Sequence, residues 1–118
     1  MSQQPVKIYH NPRCSKSRKT LQIIEAAGHK PTVIKYLETP PSITELIHVL
    51  LLLNLKPRDL MRKNESDYKK HNMDDKTLSN HDLIELMHKY PQVIERPIVV
   101  SNNKAVIGRP PESVLDII

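Results

Sequence analysis

The hydrophobic period of this chain changes twice between Val6 and Tyr36, and few architectures accommodate that change. Val6-Lys7-Ile8-Tyr9 alternates and is rich in β-formers, which predicts a strand. His10-Asn11-Pro12-Arg13 interrupts it, the Asn-Pro pair marking a loop. From Ser15 to about Ala27 the period is helical, with Thr20, Leu21, Ile24 and Ala27 at spacings of three and four, and Gly28 supplies a stop. Thr32-Val33-Ile34-Lys35-Tyr36 reads as a second strand. A strand, a helix and a strand in that order make a βαβ unit, so the two strands are expected to run parallel.

The middle of the chain reads differently. Pro40-Pro41 precedes Ser42-Ile43-Thr44-Glu45, a capping box that opens a helix running to about Leu53. Pro57 suits the first turn of a short helix ending near Met61. A further helix is expected from about Asn80 to His88 with Leu83, Ile84 and Met87 inward, so residues 42–89 read as wholly helical. Strands return after Pro91: Ile98–Ser101 and Ala105–Ile107 flank Asn102-Asn103, and two Asn tolerate the positive φ of a tight hairpin turn. Gly108-Arg109-Pro110-Pro111 ends the hairpin, and Glu112–Ile117 is expected to form a terminal helix. The fold class is therefore α/β, with a small mixed sheet in the order β-α-β, then β-β-α. An all-helical insertion over about 42–90 separates a core of about 5–40 and 92–118 within one domain.

Composition narrows the function. Leu, Ile and Val carry most of the 38% apolar content and suffice for an aliphatic core, although Phe and Trp are absent. The longest apolar run is Val49–Leu53, far short of a membrane span, and Met1–Lys7 shows no signal-peptide pattern. With a single Cys and hence no internal disulfide, the expected compartment is the cytoplasm. The net charge of +5 favours an anionic partner. Nucleic acid is not expected, because Lys and Arg form no long run and only four Tyr are available for stacking. Metal binding is not expected either, since the six His show no ligand spacing.

Cys14 is the chief candidate for chemistry. It lies between a strand and a helix, where unpaired N–H groups and the helix dipole stabilise a thiolate. His10, Arg13, Lys16 and Arg18 add positive potential nearby. A Cys-based phosphatase loop needs five residues between Cys and Arg, yet Arg18 follows Cys14 by only four. A dithiol redox site needs a second Cys where this chain has Ser17. Redox turnover at Cys14 must therefore borrow an external thiol such as glutathione. Arg62, Arg96 and Arg109 sit beside backbone breaks and present forks suited to a tetrahedral oxyanion; spacing alone leaves open whether they converge. His10 either tunes Cys14 or is structural.

Tyr9-His10-Asn11-Pro12-Arg13-Cys14-Ser15-Lys16-Ser17-Arg18 resembles the active-site loop of the glutaredoxin-linked arsenate reductases. Tyr36-Leu37-Glu38-Thr39-Pro40-Pro41, Leu60-Met61-Arg62-Lys63-Asn64, Glu95-Arg96-Pro97-Ile98-Val99-Val100 and Gly108-Arg109-Pro110-Pro111-Glu112 match that family's later signatures in order. The resemblance implies a thioredoxin-like fold with Pro97 as its cis-proline. It implies that Cys14 is the nucleophile, that His10 helps lower its pKa, that Ser17 hydrogen-bonds the thiolate, and that Arg62, Arg96 and Arg109 bind the oxyanion. It further implies glutaredoxin as protein partner, glutathione as co-substrate, arsenate or a similar oxyanion as substrate, no bound cofactor, and a monomer. Arg13 and Lys16 depart from the small or neutral residues beside the Cys in arsenic-resistance members. Two other readings stand beside it: a general monothiol oxidoreductase acting on glutathione mixed disulfides, and a binding module like the redox-responsive transcription regulators of the same superfamily.

Overall fold

The computed structural model describes residues 5–118, which divide into two compact units. One joins the chain up to Thr39 with Arg96–Ile118, and the other is Pro40–Glu95. The first unit holds a four-stranded sheet of β1 (Val6–His10), β2 (Thr32–Lys35), β3 (Ile98–Ser101) and β4 (Lys104–Ile107), ordered β2-β1-β3-β4. β1 pairs parallel with β2 and antiparallel with β3, and β3 and β4 close the hairpin around Asn102 and Asn103, both at positive φ. This is the thioredoxin-like arrangement, with β1 and β2 linked by α1 (Ser15–Ala26).

Alternation along β1 places Val6, Ile8 and His10 on one face. There Val6 and Ile8 form a buried core with Ile24 of α1, Val99 of β3, and Val114 and Ile117 near the C-terminus. The terminal segment, expected as a helix, is a 3-10 helix over Pro111–Asp116. Three residues per turn bring Val114 and Ile117 onto one side, and both reach that core. Ala27, expected on the apolar face of α1, is exposed because it lies one residue past the helix. Gly28 at φ 90° then ends the helix, its N–H and that of His29 closing onto the carbonyls of Glu25 and Ile24.

The second unit contains α2 (Ile43–Leu53), α3 (Ser66–Lys70) and α4 (Asn80–Lys89). Both long helices open on reciprocal caps. Glu45 N–H donates to Ser42 Oγ at 3.0 Å while Ser42 N–H donates to Glu45 Oε1 at 3.2 Å, and Ser79 and Asp82 repeat the exchange at 3.1 and 2.9 Å. α2 packs on α4 through faces carrying Leu46, Val49 and Leu50 against Leu83, Ile84 and Met87. The unit is not wholly helical: Met61 bridges Ile94 in antiparallel fashion, and Pro57–Leu60 is a 3-10 turn that buries Pro57 and Leu60, three apart, together. No helix among the described residues is long and apolar enough to cross a membrane.

Candidate active site

The loop after β1 is built from its own side chains. Asn11 Oδ1 accepts from Arg13 N–H at 3.0 Å, and Asn11 O accepts from Cys14 N–H at 3.0 Å. Arg18 reaches back from α1 to Pro12 O at 3.0 Å. Ser17, fully buried in the first turn of α1, accepts from Asn11 N–H at 3.1 Å through Oγ. The same oxygen lies 2.6 Å from His10 Nδ1. Burial, with the charges of Lys35 and Arg18 behind it, lowers the His10 pKa and keeps the ring neutral. One proton is shared in that contact, and the tautomer of the ring decides whether Ser17 Oγ or His10 Nδ1 donates it.

Cys14 occupies the N-cap of α1. As a neutral thiol it makes no capping hydrogen bond. Ionised, it stands where a capping oxygen would accept from the first turn. Burial alone would raise its pKa. That effect is outweighed by the backbone N–H of Ser17, a hydrogen bond from the Arg96 side chain, the backbone N–H of Lys16 and the Arg96 charge, so the thiol lies below its ordinary value. Arg109 adds a second guanidinium, with Nη2 3.9 Å from Cys14 Sγ and Nε donating to Arg96 O at 2.9 Å. Arg96 and Arg109 leave the same end of the β3–β4 hairpin, because Ile98 pairs with Ile107. The Arg96–Pro97 bond is cis, as is Arg109–Pro110.

Cys14, His10, Ser17, Arg96 and Arg109 thus gather in the first unit. The resemblance assigns Ser17 to the thiolate; the structure uses its backbone N–H for that and spends its hydroxyl on His10. His10, which the resemblance assigns to lowering the Cys14 pKa, contacts Ser17 and through it the start of the loop at Asn11. Arg62 belongs to the second unit, where Nε meets Glu65 at 3.2 Å and Nη1 meets Glu95 at 3.4 Å. Sequence reasoning missed Tyr36, which is 1% exposed and has its hydroxyl in the electrostatic neighbourhood of Arg96, Asn11 and Cys14. The signal was present in the βαβ reading: parallel strands end side by side, so the residue after β2 meets the residue after β1. The register His10 opposite Lys35 does place Tyr36 beside Asn11. A cavity of about 320 Å³ opens against the loop, with Arg13, Lys35 and Glu38 among its lining residues.

This geometry fixes a pH response. A lowered thiol pKa means that the thiolate forms at lower pH, so alkylation of Cys14 by iodoacetamide should climb with pH through a midpoint below about 8.5, the free-thiol value. A midpoint at or above that value would show that the loop does not activate the sulfur.

Comparison with known proteins places this site in a family. The ArsC family profile matches residues 9–117. Over 114 residues the chain is 52% identical to uncharacterized protein YfgD of Escherichia coli strain K12, covering 96% of each. It is 43% identical to an arsenate reductase of Neisseria meningitidis, covering 92% of this chain and 94% of that one. The solved structure of an arsenate reductase from Vibrio cholerae is 50% identical and superposes with a TM-score of 0.95, covering 99% of this chain and 100% of that one. With its Cys14 loop, its paired arginines and a profile match running almost from end to end, the chain belongs to the ArsC family.

Proposed function

We propose that this protein reduces arsenate to arsenite, using the Cys14 thiolate as nucleophile and glutathione and glutaredoxin as the source of electrons. The observation that carries this reading is Cys14 Sγ at a helix N-terminus, with the Arg96 side chain bonded to it and Arg109 3.9 Å away. A low-pKa thiolate attacks, and two permanent cations hold a tetrahedral anion against it. Arsenate reductases among the relatives point to arsenic as the central atom.

The Cys14 thiolate attacks arsenic and one arsenate oxygen leaves as water after protonation, giving a Cys14–S–As(V) ester. Glutathione displaces a second oxygen as water and forms an As–S bond. A glutaredoxin thiolate then attacks the glutathione sulfur. The As–S electron pair returns to arsenic, which becomes As(III), and the two sulfurs leave as a mixed disulfide. Hydrolysis releases arsenite and regenerates Cys14. With no second Cys in the chain, both reducing thiols must come from outside. The mixed charge of Arg13, Lys35 and Glu38 at the adjoining cavity suits glutathione, which carries two carboxylates and one ammonium.

The test is arsenate-dependent NADPH oxidation with glutathione, glutathione reductase and glutaredoxin present. Turnover should need arsenate and glutaredoxin together, and its absence in the folded protein would refute the reading. In the same assay Arg96→Lys should lower kcat/KM by about 10- to 100-fold, because an ammonium cannot reproduce the fork. Arg62→Lys tests the oxyanion role that the resemblance gives Arg62. If Arg96→Lys left arsenate kinetics untouched, a general monothiol oxidoreductase would explain the site better.

A further inference from the structure

Tyr36 follows β2 and is 1% exposed, yet its buried hydroxyl finds no acceptor for its proton among the described residues. A hydroxyl stripped of water and left unsatisfied opposes folding, so its retention calls for a use. The groups around it are those of the site: Arg96 and Asn11 face the phenol oxygen, and the Cys14 sulfur is near enough to act on it electrostatically. Burial raises the Tyr36 pKa and so keeps the hydroxyl protonated as a donor. Its neighbours are an arginine that only donates, an Asn11 amide whose oxygen already accepts from Arg13 N–H, and a sulfur already served by the Ser17 and Lys16 N–H groups and by Arg96. The acceptor that this hydroxyl lacks is an oxygen of the kind a tetrahedral anion would bring.

We propose that Tyr36 is an oxyanion-contacting residue, its hydroxyl donating to an oxygen of the substrate held between Cys14 and Arg96. The proposal rests on the oxyanion reading given above and adds a neutral donor to a site otherwise made of charges. A neutral donor restrains orientation without raising the charge, so it favours the anion whose oxygen fills that one position.

Tyr36→Phe in the full chain removes one oxygen and keeps the ring in place. Two readouts separate the possibilities. The first is protection: the arsenate concentration that halves the rate of Cys14 alkylation, measured without glutathione. The second is arsenate KM and kcat in the coupled assay. The variant should need about 10- to 100-fold more arsenate for protection and show a raised KM. Its Tm should equal or exceed that of the parent, since an unsatisfied hydroxyl has gone. Unchanged protection in the variant, or a lowered Tm, overturns the proposal and leaves the oxyanion site standing. If arsenate fails to protect Cys14 in the parent protein, the oxyanion reading itself falls, and the role of Tyr36 with it.

Discussion

Replacing Cys14 with Ser is expected to reduce arsenate turnover to the level without enzyme while leaving the fold at least as stable. The two effects have opposite signs because position 14 does two jobs. Chemically, a hydroxyl that does not ionise near neutral pH cannot replace a thiolate as nucleophile. Structurally, Cys14 is the N-cap of α1 and makes no capping hydrogen bond as a thiol, whereas Ser is among the preferred caps. Its Oγ accepts from the first-turn N–H groups and is worth about 0.5–1 kcal/mol there. Thermal unfolding and the coupled assay, run on one preparation, check both halves. Residual turnover would mean that another group attacks arsenic, and a variant destabilised even at a pH where Cys14 is a neutral thiol would mean that Cys14 packs rather than caps.

The second large effect belongs to Gly108. A Cβ at this position would collide with Thr20 Oγ1 and stand 2.8 Å from Pro97 Cγ. Neither neighbour yields easily. Thr20 is fully buried, and its hydroxyl donates to Lys16 O at 2.8 Å. Pro97 is held from the other side, since its carbonyl accepts from Gly108 N–H at 2.9 Å. Gly108→Ala is therefore an overpacking change, expected to cost about 1–3 kcal/mol and to lower Tm by about 4–12 °C. It should also raise KM for arsenate, because Arg109 follows directly and Arg96 precedes Pro97. Thr20→Ala in the same chain should recover part of the lost stability. An unchanged Tm in the single variant would show that hairpin and helix have slack where the structure has none.

The elements that sequence made legible are those whose cause is local. The Ser42–Glu45 box names the start of α2, Asn102-Asn103 names the hairpin turn, and the period change at Ser15 puts Cys14 at a helix N-terminus. What escaped depends on partners remote in sequence. The short α3 has one buried residue, Tyr68, whose hydroxyl is held by Arg58 at 2.8 Å, and neither residue advertises the other. The Met61–Ile94 bridge joins the end of a stretch read as helical to a residue 33 positions on. The helix read at the C-terminus lies where it was expected, and its 3-10 pitch was not legible because a few residues with Val114 and Ile117 three apart satisfy either period. At the site, residue type picked out side chains that the first unit brings together, but not the contacts each one makes. Nothing local shows that the Ser17 hydroxyl turns to His10 rather than to sulfur, or that Arg62 meets Glu65 and Glu95.

The hairpin has a consequence for how this chain can change length. Arg96 and Arg109 are neighbours only because Ile98 sits opposite Ile107, and the turn at Asn102-Asn103 lies at the far end of the same ladder. Residues added at that tip leave every rung below it in place, and the two guanidinium groups stay paired. One residue lost inside either strand shifts the register and turns each following side chain to the opposite face, carrying Ile98 or Ile107 out of place and parting the arginines. Insertions in this stretch are thus tolerable at the turn and ruinous two rungs away, so the hairpin works as a ruler whose free end can be extended but whose graduations cannot be rubbed out.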